Sequence, residues 1–211
     1  MPADASSRTT SVCATRHGDV LLLALADPTG FPRLTRAVLR ELRNQTDVLA
    51  RTSKLRAAVL TGTEKCFAAG AELEEVAALT PHEALRFSAL GQSVMRTIER
   101  STKPIVAAIR GFCLGGGFDL AIACHLRVAA TDAVFGHPGG SLGILTGWGG
   151  TQRLPRLLAR AGRSRALEAL TTGRRISAEE AHAWGLVNRL APHEEAVATA
   201  LLLVTNSLAQ S

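Results

Sequence analysis

Tyrosine is missing from this chain altogether, and phenylalanine and tryptophan bring the aromatic share to only 4%. Surfaces that grip nucleic acid interleave aromatic platforms with basic residues. Here the excess of Lys and Arg over Asp and Glu, +6 in all, has no such companions. Arg153, Arg156, Arg160, Arg163 and Arg165 scatter around helical segments instead of stacking on one face. A solvated surface is expected, with a few of these arginines free to meet phosphates, and no nucleic-acid partner. No apolar run approaches the roughly 20 residues that span a bilayer, so no membrane partner is expected either. The first eleven residues, MPADASSRTTS, lack the apolar stretch of a secretory signal and read as a disordered N-terminus. The default location is then cytoplasmic. Cys13, Cys66, Cys113 and Cys124 form no CxxC pair and have no histidine at metal spacing. Reduced, structural thiols are expected, and no metal.

What is present is an alternation of strand and helix signals in a chain of 211 residues, long enough for one well-buried core. "DVLLLAL" (19–25), "LRAAVLTG" (55–62), "KPIVAAIRG" (103–111) and "LRVAATD" read as buried strands closed by turn residues. Between them, apolar residues at 34, 38, 42 and 49 mark an amphipathic helix. "ELEEVAALT" reads as a short acidic-first helix, and Pro81 opens a longer one. "AVFGHPGGSLGILTGWGG" reads as a long Gly-rich loop. Two helices separated at Gly162 come next, with Pro155 near the first turn of one. A capping box of Ser177 with Glu180, a stop at Gly185 and a last helix after Pro192 complete the pattern. Strands alternating with helices indicate an α/β architecture.

The stretch with the most chemistry in it is "GFCLGGGFDLAIAC" (111–124): three consecutive glycines, then an apolar helix with one carboxylate, Asp119, just inside it. Glycine before a helix allows a sharp turn, close backbone approach and free N–H groups, and the first helical turn carries partial positive charge. These features suit an oxygen that becomes negative during reaction. The phosphate-loop pattern GxxxxGK[ST] and the dinucleotide pattern GxGxxG are both absent. An inert glycine turn is the alternative. "CFAAGAEL" (66–73) also comes after a strand and opens an acidic helix, so two turns can each offer one N–H to the same oxygen.

Read together, these segments resemble the enoyl-CoA hydratase/isomerase (crotonase) family. "AAVLTGTEKCFAAGAEL" is similar to its first oxyanion segment and "KPIVAAIRGFCLGGGFDLAIACHLRVAATDAVFGHP" to its second. "LGILTGWGGTQRLPRLLARAGRSRALEALTTGRRISAEEAHAWGLVNRL" is similar to the family's next stretch of chain. The resemblance implies a crotonase-like spiral of ββα units, usually a homotrimer or hexamer. It places the spiral core at 12–190 and the start of a shortened, truncated C-terminal helical region for oligomerisation at 191–211. It implies an acyl-CoA thioester as ligand, with coenzyme A as part of the substrate and no separate cofactor. The N–H groups of Ala71 and Gly116 would hold the thioester oxygen, and Asp119 would be the acid/base. Ala69, Gly70, Glu72, Leu73, Glu74, Gly117, Gly139, Gly147 and Trp148 would line the substrate.

The chain departs from that pattern in its acids. Hydratases of the family use two glutamates; the first position here is Asp119 and the second is Gly139. Asp119 alone can shuttle a proton between carbons in an enoyl-CoA isomerisation. A malonyl-type decarboxylation leaning on the oxyanion hole, recruitment of bicarbonate as base, and acyl-CoA binding without catalysis also fit. His137, two residues from Gly139, is a substitute base or a structural residue. Trp148 is core packing or a wall that favours short acyl groups. Arg33 is a candidate contact for a CoA phosphate.

Overall fold

The first two strands are of opposite character. β1 (Ser11–His17) is mostly exposed and β2 (Val20–Ala26) mostly buried, and they pair antiparallel across Gly18, where φ is +62°. The structure, a computed structural model, describes residues 9–209, without the side chains of 141–142, 159–161 and 207–209. Over residues 1–8 the expected disordered start therefore lies outside the described residues, as do 210–211 and the Arg160 side chain. At its last two residues the expectation is overturned, because Ser11 pairs with Ala26 and the Thr10 hydroxyl donates to Asp27 at 2.6 Å. An edge strand with its side chains in water shows no apolar alternation.

Next comes α1 (Arg36–Arg51), capped by the Thr35 hydroxyl, which accepts from the Val38 N–H at 3.3 Å. Its buried stripe of Val38, Leu39, Leu42 and Leu49 faces the core. A unit of strand, short strand and helix then recurs three times. The first is β3 (Ala57–Thr61), β4 (Cys66–Ala68), α2 (Leu73–Ala77) and α3 (Pro81–Glu99). The second is β5 (Ile105–Ile109), β6 (Phe112–Leu114) and α4 (Gly116–Ala123). The third is β7 (Leu126–Ala130), β8 (Val134–Gly136), a 3-10 turn (Pro138–Leu142), α5 (Gly150–Leu157) and α6 (Ala159–Thr172). The chain ends through β9 (Ile176–Ser177), α7 (Ala178–Ala183), β10 (Arg189–Ala191) and α8 (Ala196–Ala209).

The long strands form one sheet in the order β1-β2-β3-β5-β7-β10, and the short ones a second in the order β4-β6-β8-β9. From β2 to β10 the large sheet is parallel, and β4, β6 and β8 are parallel too. Every residue of β3 and β5 is buried, as expected of strands covered on both faces. Each unit must cross from one sheet to the other within a few residues. Gly111 makes one crossing at φ +57°, where an added Cβ would lie 2.0 Å from the Lys65 carbonyl oxygen. A side chain there has no room.

Helix α4 sits inside this spiral with Gly117 through Ala123 all buried, Asp119 being the one polar side chain among them. Its C-terminal carbonyls are met by Arg127, itself only 3% exposed. Arg127 donates from Nη1 to Cys124 O at 2.7 Å and to Ala121 O at 3.4 Å, and from Nε to Leu186 O at 2.6 Å. A cation at the negative end of a helix is favourable. Burial nonetheless pulls the Arg127 pKa down.

The structure corrects several readings of the middle segment. The long Gly-rich loop contains β8 and a 3-10 turn. The two helices part at Leu158, not at Gly162, which lies inside α6, and Pro155 lies in the interior of α5. The capping box is one-sided. Ser177 accepts from the Glu180 N–H at 3.1 Å, whereas the Glu180 carboxylate binds Arg174. Arg153 is not part of a solvated face, its side chain being only 11% exposed.

Candidate active site

Two turns meet at the N-terminus of α4. Gly115 caps the helix at φ +53° and ψ −121°, tied down by its N–H donating to Gly136 O at 2.8 Å. Gly70, at φ +103°, lies against it. A Cβ added at Gly70 would fall 3.2 Å from the Gly116 nitrogen, so any side chain there would sit on that N–H. At Gly117 an added Cβ would lie 2.3 Å from the Ala68 carbonyl oxygen, so α4 packs directly on the end of β4. Among the described residues, neither the Ala71 nor the Gly116 N–H is spent on a turn or loop acceptor. Gly116 opens the helix, where N–H groups have no intrahelical partner. Three side-chain-free positions therefore keep two backbone segments in contact with their donors uncommitted.

Asp119, on the first turn of α4, has no solvent exposure at all. The Thr146 hydroxyl donates to its Oδ2 in a very short hydrogen bond. Its Oδ1 has no hydrogen-bond partner and faces His137 Nε2, equally unpartnered, at 3.6 Å. That separation is a few tenths of an ångström beyond hydrogen-bond length. Burial raises the Asp119 pKa from 3.8 to about 6, against the lowering effects of Thr146, the Arg153 charge and the Trp148 and Gly150 backbone. Burial also pushes His137 down to about 4, so this imidazole is neutral at physiological pH. A Cβ at Gly150 would fall 2.2 Å from Asp119 Oδ1 and 3.0 Å from His137 Nε2. Glycine at 150 is what leaves the carboxylate its place.

The family model described as enoyl-CoA hydratase/isomerase matches residues 15–211. The chain belongs to the enoyl-CoA hydratase/isomerase family. It is 41% identical over 175 residues to the crotonyl-CoA hydratase of Syntrophomonas wolfei, covering 82% of this chain and 66% of that protein. It is 37% identical over 191 residues to the short-chain-enoyl-CoA hydratase of Clostridium acetobutylicum, covering 90% and 72%. Among solved structures, an enoyl-CoA hydratase subunit from Geobacillus kaustophilus superposes with a TM-score of 0.86 at 38% identity, covering 95% of this chain and 76% of that one. Pseudomonas aeruginosa DspI superposes with a TM-score of 0.91 at 30% identity, covering 99% and 79%. The chain thus spans 66% of the length of the first relative and 72 to 79% of the others named here. Its α/β spiral is the crotonase fold.

The other residues expected to line the site fall in the first turn, at the start of α2, in the 3-10 turn and in the segment before α5. The Ala69 N–H donates to Pro32 O at 2.8 Å, fixing the first turn beside α1. Leu73 is 58% exposed at the start of α2. Glu74 is exposed too, and Glu72 pairs with Arg33 at 3.2 Å. Arg33, the candidate phosphate contact, is therefore already matched by a carboxylate. The Gly147 carbonyl accepts from Gln92 Nε2 at 2.8 Å and from Ser88 Oγ at 3.2 Å, which ties the loop to α3. Gly139, at the family's second acid position, has the Ile144 carbonyl oxygen 2.6 Å from where its Cβ would be. The Trp148 indole is 5% exposed, edge-on to Phe87 at 5.4 Å. Added Cβ atoms at Gly91 and Gly116 would lie 2.2 and 2.3 Å from it. It packs into the core and stands beside the α4 N-terminus.

Three contributors carry no local signal in the sequence. Thr146 lies 27 residues from the carboxylate it holds. Gly150 gives room for Asp119. Arg153 donates to Trp148 O at 3.0 Å and to Glu99 at 2.8 Å, fixing the segment between them.

Proposed function

We propose that the chain acts on acyl-CoA thioesters as an enoyl-CoA isomerase. The Ala71 and Gly116 N–H groups hold the thioester oxygen as it turns enolate-like, and Asp119 moves the proton. One observation carries this reading: the Gly70–Ala71 turn abuts the open N-terminus of α4, and a single buried carboxylate with a pKa of about 6 sits one turn later. A base with a pKa just below the working pH is mostly ionised yet becomes a competent acid once protonated. Isomerisation needs one such group, which takes a proton from one carbon and returns it to another. Each oxyanion donor contributes about 3 to 4 kcal/mol of transition-state stabilisation. Because Asp119 is fully buried, contact with a thioester requires the Thr146–Gly150 segment around it to shift, as loops over active sites do.

Hydration of the enoyl double bond is the second reading, favoured by the names of the relatives. It needs a water activated by Asp119 with only neutral His137 nearby. The test is purified protein and its Asp119→Asn variant on 2-enoyl- and 3-enoyl-CoA substrates. Isomerisation abolished in the variant supports the first reading. Hydration without isomerisation replaces it with the second, and thioester binding without turnover on any substrate defeats both. A homotrimer or hexamer is the assembly that goes with this function, and measuring mass in solution tests it.

A further inference from the structure

Beside the segment that covers Asp119 lies a cleft of about 490 Å³ between the second half of α3 and α5. Four guanidinium groups line it, from Arg96, Arg100, Arg153 and Arg156, against one carboxylate, Glu99. Glu99 is taken by Arg153 at 2.8 Å. Among the described residues no carboxylate pairs with Arg96, Arg100 or Arg156. Arg96 and Arg100 also line an adjoining cavity of about 570 Å³, together with the hydroxyl-bearing Ser93, Thr97, Ser101 and Thr102. They form a cationic ridge between two hollows.

On the other side of the site the charges cancel. Arg33 and Arg36 each lie 3.2 Å from a glutamate, Glu72 and Glu75 respectively. The cleft, by contrast, gathers guanidinium groups without carboxylate partners beside the site. The cleft also shares a wall with the reaction centre. Thr146, whose hydroxyl holds Asp119, forms part of its wall, and so does Trp148, whose ring touches Gly116. The proton step itself uses none of the three unpaired arginines.

We infer that this cleft is an anion subsite that holds a carboxylate or phosphate group carried by the thioester ligand. Guanidinium forks match the oxygens of both groups. The inference rests on the reading that the ligand is an acyl-CoA thioester. The anion has two sources: a carboxylate at the far end of the acyl chain, or a phosphate of the CoA nucleotide.

Titration calorimetry with three saturated, unreactive thioesters separates them: butanoyl-CoA, butanoyl-pantetheine without phosphates, and glutaryl-CoA with a terminal carboxylate. The comparison is made in the wild-type protein and in the Arg96→Gln/Arg100→Gln variant. Both arginines are exposed, so the variant keeps the fold, read as an unchanged melting temperature. Losing charged contacts of this kind weakens binding about tenfold or more. An acyl carboxylate in the cleft makes glutaryl-CoA bind at least about tenfold tighter than butanoyl-CoA in the wild type, with the gap closed in the variant. A nucleotide phosphate there does the same for butanoyl-CoA over butanoyl-pantetheine. If all thioesters bind but no gap exists, or the gaps survive the variant, the subsite is overturned while the thioester reading stands. If none of the thioesters binds, both fall together.

Discussion

Asp119→Asn should abolish turnover and at the same time make the protein more stable at neutral pH. The carboxyl has an ordinary pKa of 3.8 in the unfolded chain and about 6 in the fold. Its charged form is therefore disfavoured by folding. Below 3.8 both states are protonated and the residue is neutral in its effect. As pH rises through 3.8 the unfolded chain ionises first, and the destabilisation grows until the folded carboxyl ionises near 6. Above that it is complete, at ~3 kcal/mol. Asparagine keeps an oxygen to accept from Thr146 and turns an NH₂ toward the unpartnered His137 Nε2. At pH 8 the variant should thus be up to ~3 kcal/mol more stable, or roughly 6 to 12 °C in melting temperature for a chain of this size. At pH 4.5 the advantage should narrow to ~1 kcal/mol. Urea unfolding of both proteins at the two pH values measures this. Equal stability at pH 8, or an advantage that does not shrink in acid, would refute the view that Asp119 is held in a charge-hostile pocket.

Thr146→Val removes a donor that favours the Asp119 carboxylate, so the acidic limb of the pH–rate profile should move up by about one pH unit, while Thr146→Ser leaves it in place. Trp148→Ala should cost about 3 to 5 kcal/mol in chemical denaturation and shift activity toward longer acyl chains; an unchanged chain-length preference ends the idea that the indole is a wall. Arg127→Met strands the Cys124, Ala121 and Leu186 carbonyls and should lower stability by about 3 kcal/mol, seen as an earlier urea midpoint. Gly139→Glu, which returns a carboxylate to the family's second acid position, should destabilise by about 1 to 3 kcal/mol without raising hydration of crotonyl-CoA, because the Ile144 carbonyl blocks its Cβ.

How much of the molecule is legible in its sequence depends on the range of each signal. Strands such as β3 and β5 are continuous apolar runs closed by glycine, and α1 and α3 have clear caps and stripes, so their existence is visible locally. The second sheet is built from pieces of two or three residues, β4, β6, β8 and β9, too short for any periodicity to register. Gly162 reads as a helix break because glycine weakens helices, yet Leu158 packs over it and the helix continues. The Gly115–Gly117 turn and Asp119 stand out because they are consecutive in the chain. The groups that set the carboxylate's state, Thr146, His137 and Gly150, reach it only through the return of the third unit. No local pattern encodes that encounter.

The parallel ladder of the short strands has a consequence of its own. Ala71 comes after β4 and Gly116 after β6, at comparable places along two hydrogen-bonded neighbours. Adjacent strands lie about 4.8 Å apart. Two donors each about 2.9 Å from a shared oxygen, and spread at a tetrahedral angle around it, are separated by about the same distance. The spacing of neighbouring rungs thus matches the one that two amides sharing an oxygen would need, and the glycines at 70, 115 and 117 clear the approach. The next rung of the ladder is β8, and it leads into the turn that carries Gly139. Successive rungs therefore bring the ends of three chain segments side by side, and the third delivers His137 to within 3.6 Å of Asp119.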